Sequence, residues 1–349
     1  MNNLERLIFY YGAGRFFIPL PRFFIYNATY RCDLACSHCG VWETKKRDEI
    51  SLADLEKILG REFFHKVETA WLTGGEPTLR KDLGGLAAAL RKNLPKMTML
   101  GIASNGYATE RIMARIDEML AAIDPGRQGL FIQLSIDGIG DVHDKVRGRQ
   151  GAFAGLAATV AAIKNFQQKN PGKKVILGFN CVIQPENIFQ LEQINKFAKE
   201  NQSEITFNVA AVTDQYYCNQ ARGGSLGFKK EEKQEIIKFL SALIRETGPA
   251  FQYQYRSILS VLSGGERDRR CLTQYSTFVV DSDGAWIPCP LCSEWMRVNF
   301  METDPEPFWR SREAVDLRRR AAGENCPECM LGCSLGDSLS ITEFLSGGF

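Results

Sequence analysis

The sequence predicts an α/β protein built on a parallel sheet or barrel and followed by a smaller Cys-rich region. Between Phe23 and about Val212, short β-rich runs alternate with longer helical stretches about six times, which is the pattern of repeated strand–helix units. The β-rich runs carry long apolar stretches, as expected of parallel strands buried on both faces. Six units are too few for a closed eight-stranded barrel. After a helix at about 228–247 the alternation stops, and residues 251–349 are richer in turns, Pro, Trp and Cys.

The individual elements follow from hydrophobic pattern and helix-capping residues. Strands are expected at 23–30, 69–74, 97–104, 130–137, 175–183 and 205–212. Helices are expected at 51–60, 82–93, 109–123, 188–201 and 228–247. Ser51 and Thr109 stand where helix N-caps belong, each with an acidic residue near the first turn. We therefore expect an N-terminal extension at 1–22, a partial barrel at 23–250 and a Cys-rich α+β domain at 251–349.

The composition indicates a globular protein in a reducing compartment. A formal net charge of +2 gives no indication of nucleic-acid binding. The 11 cysteines are an odd number in a long chain, unlike the disulfide framework of a small secreted protein. No run reaches the roughly 18 apolar residues that a membrane span requires, and a signal peptide is not indicated. We expect a cytoplasmic protein whose cysteines stay reduced.

The N-terminal extension interleaves aromatic residues with Arg15 and Arg22. It is expected to cap the bottom of the barrel. Contact with a membrane surface or a partner protein is the alternative, because aromatic and basic residues are also typical of interfacial segments.

Nine cysteines fall into two groups, and the first group has the spacing of a metal site. In the segment 31–40 (RCDLACSHCG), Cys32, Cys36 and Cys39 are spaced Cys-x3-Cys-x2-Cys. An iron–sulfur cubane needs up to four thiolates, so three ligands on one loop leave one iron free to bind a small molecule. A zinc site is the alternative, with His38 completing a closed Cys3His set. The loop directly follows the first predicted strand, where the active site of a βα barrel lies.

Together with LTGGEP at 72–77, after the second predicted strand, this loop resembles the radical S-adenosylmethionine (SAM) superfamily. The resemblance implies a partial (β/α)6 barrel, in agreement with the six units counted above. It also implies that Cys32, Cys36 and Cys39 hold a [4Fe–4S] cluster whose free iron chelates the amino and carboxylate groups of SAM. The reduced cluster then cleaves SAM to a 5′-deoxyadenosyl radical, which abstracts a hydrogen atom from the substrate.

The resemblance also predicts the residues that hold SAM. Gly74 and Gly75 permit a backbone that brings strand-end carbonyls close to a ligand, and Glu76 is expected to pair with the SAM ammonium. His38 takes the place of an aromatic residue near the adenine. The full set of expected SAM-binding residues is His38, Gly74, Gly75, Glu76, Ser104, Ser135 and Arg147.

Two of these residues come from one segment. SIDG at 135–138, followed by HDKVRGRQGAF at 143–153, resembles the region after the fourth strand in superfamily members with extra clusters. Carried over by position, Ser135 touches SAM and Arg147 pairs with its carboxylate. Arginine suits this role because its planar fork binds carboxylates with two hydrogen bonds. Arg149 is the alternative for that contact.

The second group of cysteines predicts an auxiliary cluster. Its members are Cys271, Cys289, Cys292, Cys326, Cys329 and Cys333. The spacing Cys271-x12-Gly284-x4-Cys289 resembles the opening of the superfamily's auxiliary-cluster domains, of the SPASM type or its shortened twitch form. The full SPASM pattern has seven cysteines for two clusters, whereas this chain has six, so we expect one auxiliary [4Fe–4S] cluster. The ligands expected for it are Cys271, Cys289, Cys326 and Cys329. A second cluster, a ligand role for Cys292 and Cys333, and a structural zinc site stay open.

These features predict an oxygen-sensitive radical SAM oxidoreductase or maturase. The substrate is either a small molecule that is oxidised or rearranged, or a peptide or protein that is modified, and the electron donor is a flavodoxin or ferredoxin. Cys218, in the loop after the sixth strand, is a candidate catalytic residue, with a structural role as the alternative. The rival function is a non-catalytic iron–sulfur electron-transfer protein or a zinc-stabilised binding protein.

Overall fold

A computed structural model of the protein describes residues 11–44, 48–267 and 269–333, together with residues 4 and 8. The predicted extension at 1–22 therefore lies only partly within the described residues. Helices cover a nine-stranded, mostly parallel sheet in this part of the chain. None of the helices described there has the length and apolar character needed to cross a membrane.

The elements are numbered in chain order. The strands are β1 (Phe23–Thr29), β2 (Thr69–Gly74), β3 (Met99–Ser104), β4 (Gly129–Ser135), β5 (Val175–Ile183), β6 (Glu204–Val209), β7 (Thr277–Val280), β8 (Ala285–Ile287) and β9 (Val298–Asn299). The α-helices are α1 (Leu52–Leu59), α2 (Leu83–Asn93), α3 (Thr109–Ala122), α4 (Asp141–Arg147), α5 (Ala152–Lys169), α6 (Leu191–Glu200), α7 (Lys230–Leu243), α8 (Pro249–Leu262), α9 (Thr273–Ser276), α10 (Pro305–Trp309) and α11 (Arg312–Glu324).

The six predicted strands lie side by side in sequential order. Each of β1 to β5 pairs in parallel with the next strand along the chain, because the helices between them cross over from one strand to its neighbour. On the other side of β1 the sheet continues with β7, which is also parallel, and then with the antiparallel strands β8 and β9. The sheet thus ends in the two edge strands β6 and β9. The predicted α/β fold class is confirmed.

The C-terminal region shares this sheet with the barrel strands. Strand β7 pairs with β1 over 23–26, and helix α8 spans residue 250, where the sequence predicts a domain boundary. A shared sheet does not by itself decide where an independently folding unit ends. The division at residue 250 stays a prediction.

The two predicted N-caps have different outcomes. The hydroxyl of Ser51 accepts a hydrogen bond from the backbone N–H of Asp54 at 3.1 Å, so this residue caps α1 as predicted. Thr109 is instead the first helical residue of α3, and Ala108 occupies the N-cap position. The hydroxyl of Thr109 meets that of Thr159 on α5 at 2.8 Å. The prediction that Thr109 caps the helix is wrong, because its side chain is engaged in a tertiary contact instead.

A cluster of aromatic side chains joins the barrel to the C-terminal region. Phe278 on β7 is fully buried, and its ring centroid lies 5.4 Å from that of Phe63 and 5.2 Å from that of Phe64, both just before β2. The same ring lies 5.1 Å from Phe300 and 5.6 Å from Trp309 in the C-terminal region. Aromatic pairs at these separations contribute about 0.5–1.5 kcal/mol beyond the area that they bury.

Phe278→Ala is expected to lower the free energy of unfolding by about 3–5 kcal/mol, since it removes a large buried ring. Chemical denaturation followed by tryptophan fluorescence measures this loss. Phe189→Ala is the matched control, because Phe189 is 71% exposed, and it should change stability by no more than about 0.5 kcal/mol. Equal effects of the two substitutions would contradict the role of the aromatic cluster.

Candidate active site

The carboxyl ends of the parallel strands surround a cavity of about 560 Å³. Ligand sites of α/β proteins lie at this edge of the sheet, and the volume falls within the range of small-molecule sites. Residues 31–40, called the cysteine loop below, form part of its wall. All three thiols of that loop, those of Cys32, Cys36 and Cys39, line the cavity.

The end of α4 holds the middle of the cysteine loop. The backbone N–H of Ala35 donates to the carbonyl of Arg147 at 3.1 Å, and that of Ser37 donates to the carbonyl of Val146 at 2.8 Å. These two hydrogen bonds flank Cys36 on either side. The position of its thiol is therefore set by the last turn of α4.

Asp33 anchors the same loop to the end of β3. Its carboxylate accepts a hydrogen bond from Asn105 Nδ2 at 2.8 Å and from Arg111 Nη2 at 2.5 Å. Asn105 belongs to the turn SNG at 104–106 and lines the cavity together with Ser104. This turn therefore contributes to the cavity wall and also fixes the loop that carries the cysteines.

The glycines after β2 bring the backbone into contact with the cysteine loop. Gly74 has a φ of +117°, and a Cβ atom on it would lie 2.3 Å from the carbonyl oxygen of Thr29. A Cβ atom on Gly75 would lie 2.3 Å from the carbonyl oxygen of Arg31. Both glycines line the cavity. The close backbone approach that the sequence predicts here is present.

Glu76 has a different place from the one that the resemblance implies. Its carboxylate is fully buried and accepts hydrogen bonds from the Thr78 hydroxyl at 2.6 Å, the Ser104 hydroxyl at 3.1 Å and the Asn105 N–H at 2.7 Å. Burial raises its pKa in spite of these bonds. The side chain ties the turns after β2 and β3 together and is not part of the cavity wall. Pairing of Glu76 with the SAM ammonium stays a prediction.

Two other expected residues do reach the cavity. Ser135, at the end of β4, and the ring of His38 both line the wall. Burial lowers the pKa of His38 to about 4, so its ring is neutral at neutral pH. Its Nδ1 atom is buried and has no hydrogen-bond partner among the described residues. A neutral, flat ring in the wall suits packing against a nucleobase.

Arg147 is buried at the end of α4 and lies against the cysteine loop. Its Nη2 atom is 2.7 Å from Asp137 Oδ2, and its Nη1 atom is 3.6 Å from Cys36 Sγ. Burial lowers the pKa of Arg147, but the negative charges of Asp137 and Cys36 more than offset this and leave the pKa raised. Arg149 is exposed and lies over the ring of Tyr107 at 4.4 Å. The cavity wall contains Arg147 and not Arg149.

The loop that follows β6 covers another side of the cysteine loop. The carbonyl of Tyr217 accepts a hydrogen bond from the Gly40 N–H at 2.8 Å, and buried Asn219 donates through Nδ2 to the carbonyl of His38 at 2.7 Å. The side chains of Tyr216 and Tyr217 line the cavity. The sequence analysis named this loop for Cys218 and missed the two tyrosines, although both lie beside it in the segment QYYCNQ at 215–220.

Cys218 lies in this loop but outside the cavity wall. Its φ is +52°, and its thiol donates to the carbonyl of Gln215 at 3.3 Å. Tyr216 and Tyr217 occupy the wall positions that the sequence assigns to this candidate. The structure therefore gives no support to a catalytic role for Cys218.

The second group of cysteines surrounds a smaller cavity. The thiols in its wall are those of Cys271, Cys289, Cys326, Cys329 and Cys333. The four expected auxiliary ligands therefore lie together, and Cys333 lies with them. Cys292 is fully buried beside Cys289 and is not part of this wall. The N–H of Leu331 donates to Cys329 Sγ at 3.4 Å, which is the kind of contact that supports a metal-bound thiolate.

The two cavities share the segment that ends at Cys333. Leu331 and Cys333 line both of them. Asn208 on β6 holds this segment, because its Oδ1 atom accepts hydrogen bonds from the Gly332 N–H at 3.1 Å and from Gln254 Nε2 at 2.7 Å. Asn208 itself lines the larger cavity. Asn208 could not be predicted from the sequence, since its role depends on a contact between distant parts of the chain.

The donor chemistry of both cysteine groups fits iron–sulfur clusters. All 11 cysteines are free thiols. In the described part of the chain, no three His, Cys, Asp or Glu side chains already surround a common point as metal ligands do. Burial raises the pKa of Cys32 and of Cys39 to about 12, so these thiols are neutral, and metal binding displaces their protons. Three thiols on one loop and four or more around a second cavity match the ligand numbers of cubane clusters.

Comparisons with known proteins agree with this geometry. The family model of the radical SAM superfamily matches residues 26–198. Fe-coproporphyrin III synthase of Methanosarcina barkeri is 31% identical over 180 residues, which cover 50% of this chain and 40% of that protein. The antilisterial bacteriocin subtilosin biosynthesis protein AlbA of Bacillus subtilis is 26% identical over 156 residues, which cover 44% of this chain and 32% of that protein. The matches thus span less than half the length of these two relatives.

Solved structures give the same result for the fold. SuiB of Streptococcus suis bound to S-adenosylmethionine superposes with a TM-score of 0.61 at 16% identity, covering 86% of this chain and 68% of that one. SuiB bound to the precursor peptide SuiA superposes with a TM-score of 0.59 at 16% identity, covering 86% of this chain and 67% of that one. With the family match and the cysteine loop at the carboxyl edge of the sheet, the protein belongs to the radical SAM superfamily of enzymes.

Proposed function

We propose that the protein binds SAM at a [4Fe–4S] cluster held by Cys32, Cys36 and Cys39, cleaves it reductively and abstracts a hydrogen atom from a substrate in the same cavity. When bound and reduced, the cluster supplies the electron that converts SAM to the 5′-deoxyadenosyl radical. The observation that carries this proposal is the position of the three thiols in the wall of a large cavity. The backbone at Gly74 and Gly75 enters the same wall.

The residues around the thiols form the SAM-binding part of the cavity. Gly74 and Gly75 bring backbone polar groups to the ligand without side chains in the way. The hydroxyls of Ser104 and Ser135 stand at the ends of neighbouring strands, and the neutral ring of His38 offers a packing surface for the adenine. These five residues bind and orient SAM in this proposal.

The rest of the wall is uncharged and combines apolar side chains, such as that of Trp71, with polar ones. Asn27, Gln133, Asn180 and Thr206 line it, and among the described wall residues only Arg147 carries a charge. Amides and hydroxyls donate and accept hydrogen bonds without favouring an ion. We therefore propose that the reacting part of the substrate is uncharged, as in a peptide segment or a hydroxylated small molecule. SuiB, which shares the fold, has been solved with a precursor peptide.

The second cavity is the proposed site of one auxiliary [4Fe–4S] cluster. Its proposed ligands are Cys271, Cys289, Cys326 and Cys329. Cys333 lies in the wall of both cavities and so places this group beside the substrate region. Cys292 lies outside the wall and is proposed to be a structural thiol.

An electron donor needs access to the cysteine loop from outside. Cys32 also lines an open depression at the surface, together with Trp42, Gly148 and Arg149. We propose that a flavodoxin or ferredoxin approaches here, in a reducing cytoplasm where the free thiols persist. The exposed guanidinium of Arg149 suits the acidic surface of such donors.

The rival functions make different use of these features. A zinc-stabilised binding protein or a simple electron carrier needs no cavity of about 560 Å³ next to its cysteines. The presence of this cavity beside the thiols therefore favours an enzyme. Metal analysis separates the two, because zinc without iron or sulfide would contradict the proposal.

Reconstituted, reduced protein is expected to cleave SAM to 5′-deoxyadenosine and methionine under anaerobic conditions. Replacing Cys32, Cys36 and Cys39 together by Ala should abolish the product, because no other thiol of this cavity wall lies on the same loop. Mass spectrometry measures the deoxyadenosine. Cys181→Ala is the control, since Cys181 is a buried thiol in the middle of β5. Unchanged cleavage by the triple variant would refute the assignment.

The auxiliary site predicts which further cysteine holds iron. In the triple variant, about four iron atoms per chain should remain, as for one cubane. Adding Cys326→Ala should remove them, whereas adding Cys292→Ala should leave them in place, because only Cys326 lies in the wall of the second cavity. Iron and sulfide analysis measures both. About eight residual iron atoms would indicate two auxiliary clusters, and none in a folded protein would leave these cysteines as thiols or zinc ligands.

Two glycines with similar backbones test the support of the cysteine loop. Gly148 has a φ of +64° and a Cβ atom on it would lie 2.3 Å from the carbonyl oxygen of Ala35, whereas Gly151 has a φ of +79° and open space around it. Gly148→Ala should lower the iron held by the cysteine loop and the rate of SAM cleavage, while Gly151→Ala should retain both. Both variants carry similar backbone strain. Equal iron content in the two would show that the contact with Ala35 is dispensable.

A further inference from the structure

The guanidinium of Arg147 lies between a carboxylate and a thiol of the cysteine loop. Its two terminal nitrogens are 2.7 Å from Asp137 Oδ2 and 3.6 Å from Cys36 Sγ. Arg147 is 5% exposed, Asp137 is fully buried and Cys36 is 7% exposed. A buried charge is costly unless it is paired, and Asp137 supplies that pairing. A positive charge is thereby fixed beside one of the three proposed cluster ligands.

Hydrogen bonds to neighbouring elements hold both Asp137 and Arg147 in place. Asp137 Oδ1 accepts a hydrogen bond from the Val182 N–H on β5 at 2.8 Å. At the other end, the carbonyl of Arg147 accepts from the N–H of Ala35, directly before Cys36, at 3.1 Å. Arg147 therefore contacts both the backbone next to Cys36 and its sulfur. Neither Asp137 nor Arg147 can shift without breaking one of these hydrogen bonds.

Charge next to cluster sulfur has a known physical effect. Hydrogen bonds to the sulfurs of an iron–sulfur cluster help to set its reduction potential, and a positive charge stabilises the more negative, reduced state. Burial weakens the screening of this interaction. Arg147 is in direct contact with the Cys36 sulfur at 3.6 Å, and Asp137 contacts the other terminal nitrogen of the guanidinium. At the sulfur, the effect of the cation is therefore expected to exceed that of its counter-ion.

We propose that Arg147 is a positioning residue of the cysteine loop, which donates a charge-assisted hydrogen bond to the Cys36 sulfur and raises the reduction potential of the SAM-binding cluster, with Asp137 limiting the size of the effect. This inference rests on the proposed function, because it requires a cluster on Cys32, Cys36 and Cys39. Each terminal nitrogen of Arg147 makes one of these contacts and carries a second N–H, and the buried Nε has no hydrogen-bond partner among the described residues. The contact with the SAM carboxylate that the resemblance implies stays a prediction beside this inference.

The test is a redox titration of the reconstituted holoenzyme, followed by electron paramagnetic resonance. The signal of the SAM-binding cluster is the one that the triple cysteine variant lacks. Arg147→Gln removes the positive charge and leaves Asp137 in place, Asp137→Asn removes the counter-charge, and the double variant removes both. Arg149→Gln is the matched control, because it loses the same charge from an exposed side chain two residues away.

The expected midpoint potentials have a fixed order. Asp137→Asn should lie above the wild type, the double variant below it, and Arg147→Gln lowest of all. The reduction equilibrium should become at least about tenfold less favourable in Arg147→Gln, which corresponds to about 59 mV for one electron. Arg149→Gln should match the wild type. If Arg147→Gln does not fold, because it leaves a buried carboxylate unpaired, the other two variants still decide the order.

Three results would contradict parts of this account in different ways. Equal midpoint potentials in all variants would overturn the inference. A tenfold loss of SAM affinity in the double variant with an unchanged potential would also overturn it and would return Arg147 to the SAM carboxylate. A wild-type protein without any signal that depends on the three cysteines would instead refute the proposed function, and the inference with it.

Discussion

The close contact of neighbouring backbone with the cysteine loop is the constraint on which the rest of the site depends. The turn after β2, the end of α4 and the loop after β6 each reach the cysteine loop through N–H to carbonyl hydrogen bonds of 2.8–3.1 Å. Each contact involves a glycine. A Cβ atom on Gly75, Gly148 or Gly40 would lie 2.3, 2.3 and 1.8 Å, respectively, from a carbonyl oxygen across the contact. The motifs GGEP, HDKVRG and CG thus share one physical reason, which is that no side chain fits where two backbones touch.

The fold could be predicted from the sequence where it depends on local pattern. The strands expected at 69–74 and 175–183 have those bounds in β2 and β5, because each is an apolar, β-branched run between turn residues. The place of β7 could not be predicted in the same way. Its four residues pair with β1 from the far end of the chain, and the partner of so short a strand is chosen by tertiary packing. The same cause explains Thr109, whose hydroxyl contacts Thr159 on another helix.

The candidate site, like the fold, could be predicted only where it depends on local sequence. The cysteine spacing and the paired glycines depend on the order of residues along one loop, and the structure places all of them in the cavity wall. A motif names the residue but does not give the direction of its side chain. Ser104 and Asn105 from the next strand draw Glu76 away from the cavity. The backbone of the loop after β6 likewise leaves Tyr217 in the wall and Cys218 outside it.

The two cysteine groups are far apart in sequence, yet they cannot be arranged independently. Asn208 lines the larger cavity, donates a hydrogen bond through Nδ2 to Asn180 Oδ1 at 2.7 Å and accepts one from the Gly332 N–H at 3.1 Å. A side chain at position 332 has no room, because a Cβ atom there would lie 2.3 Å from the side chain of Gln254. Asn208 therefore belongs at once to the wall of the larger cavity and to the support of Cys333. Any movement of β6 that reshapes the wall must also move the thiol that separates the two cavities.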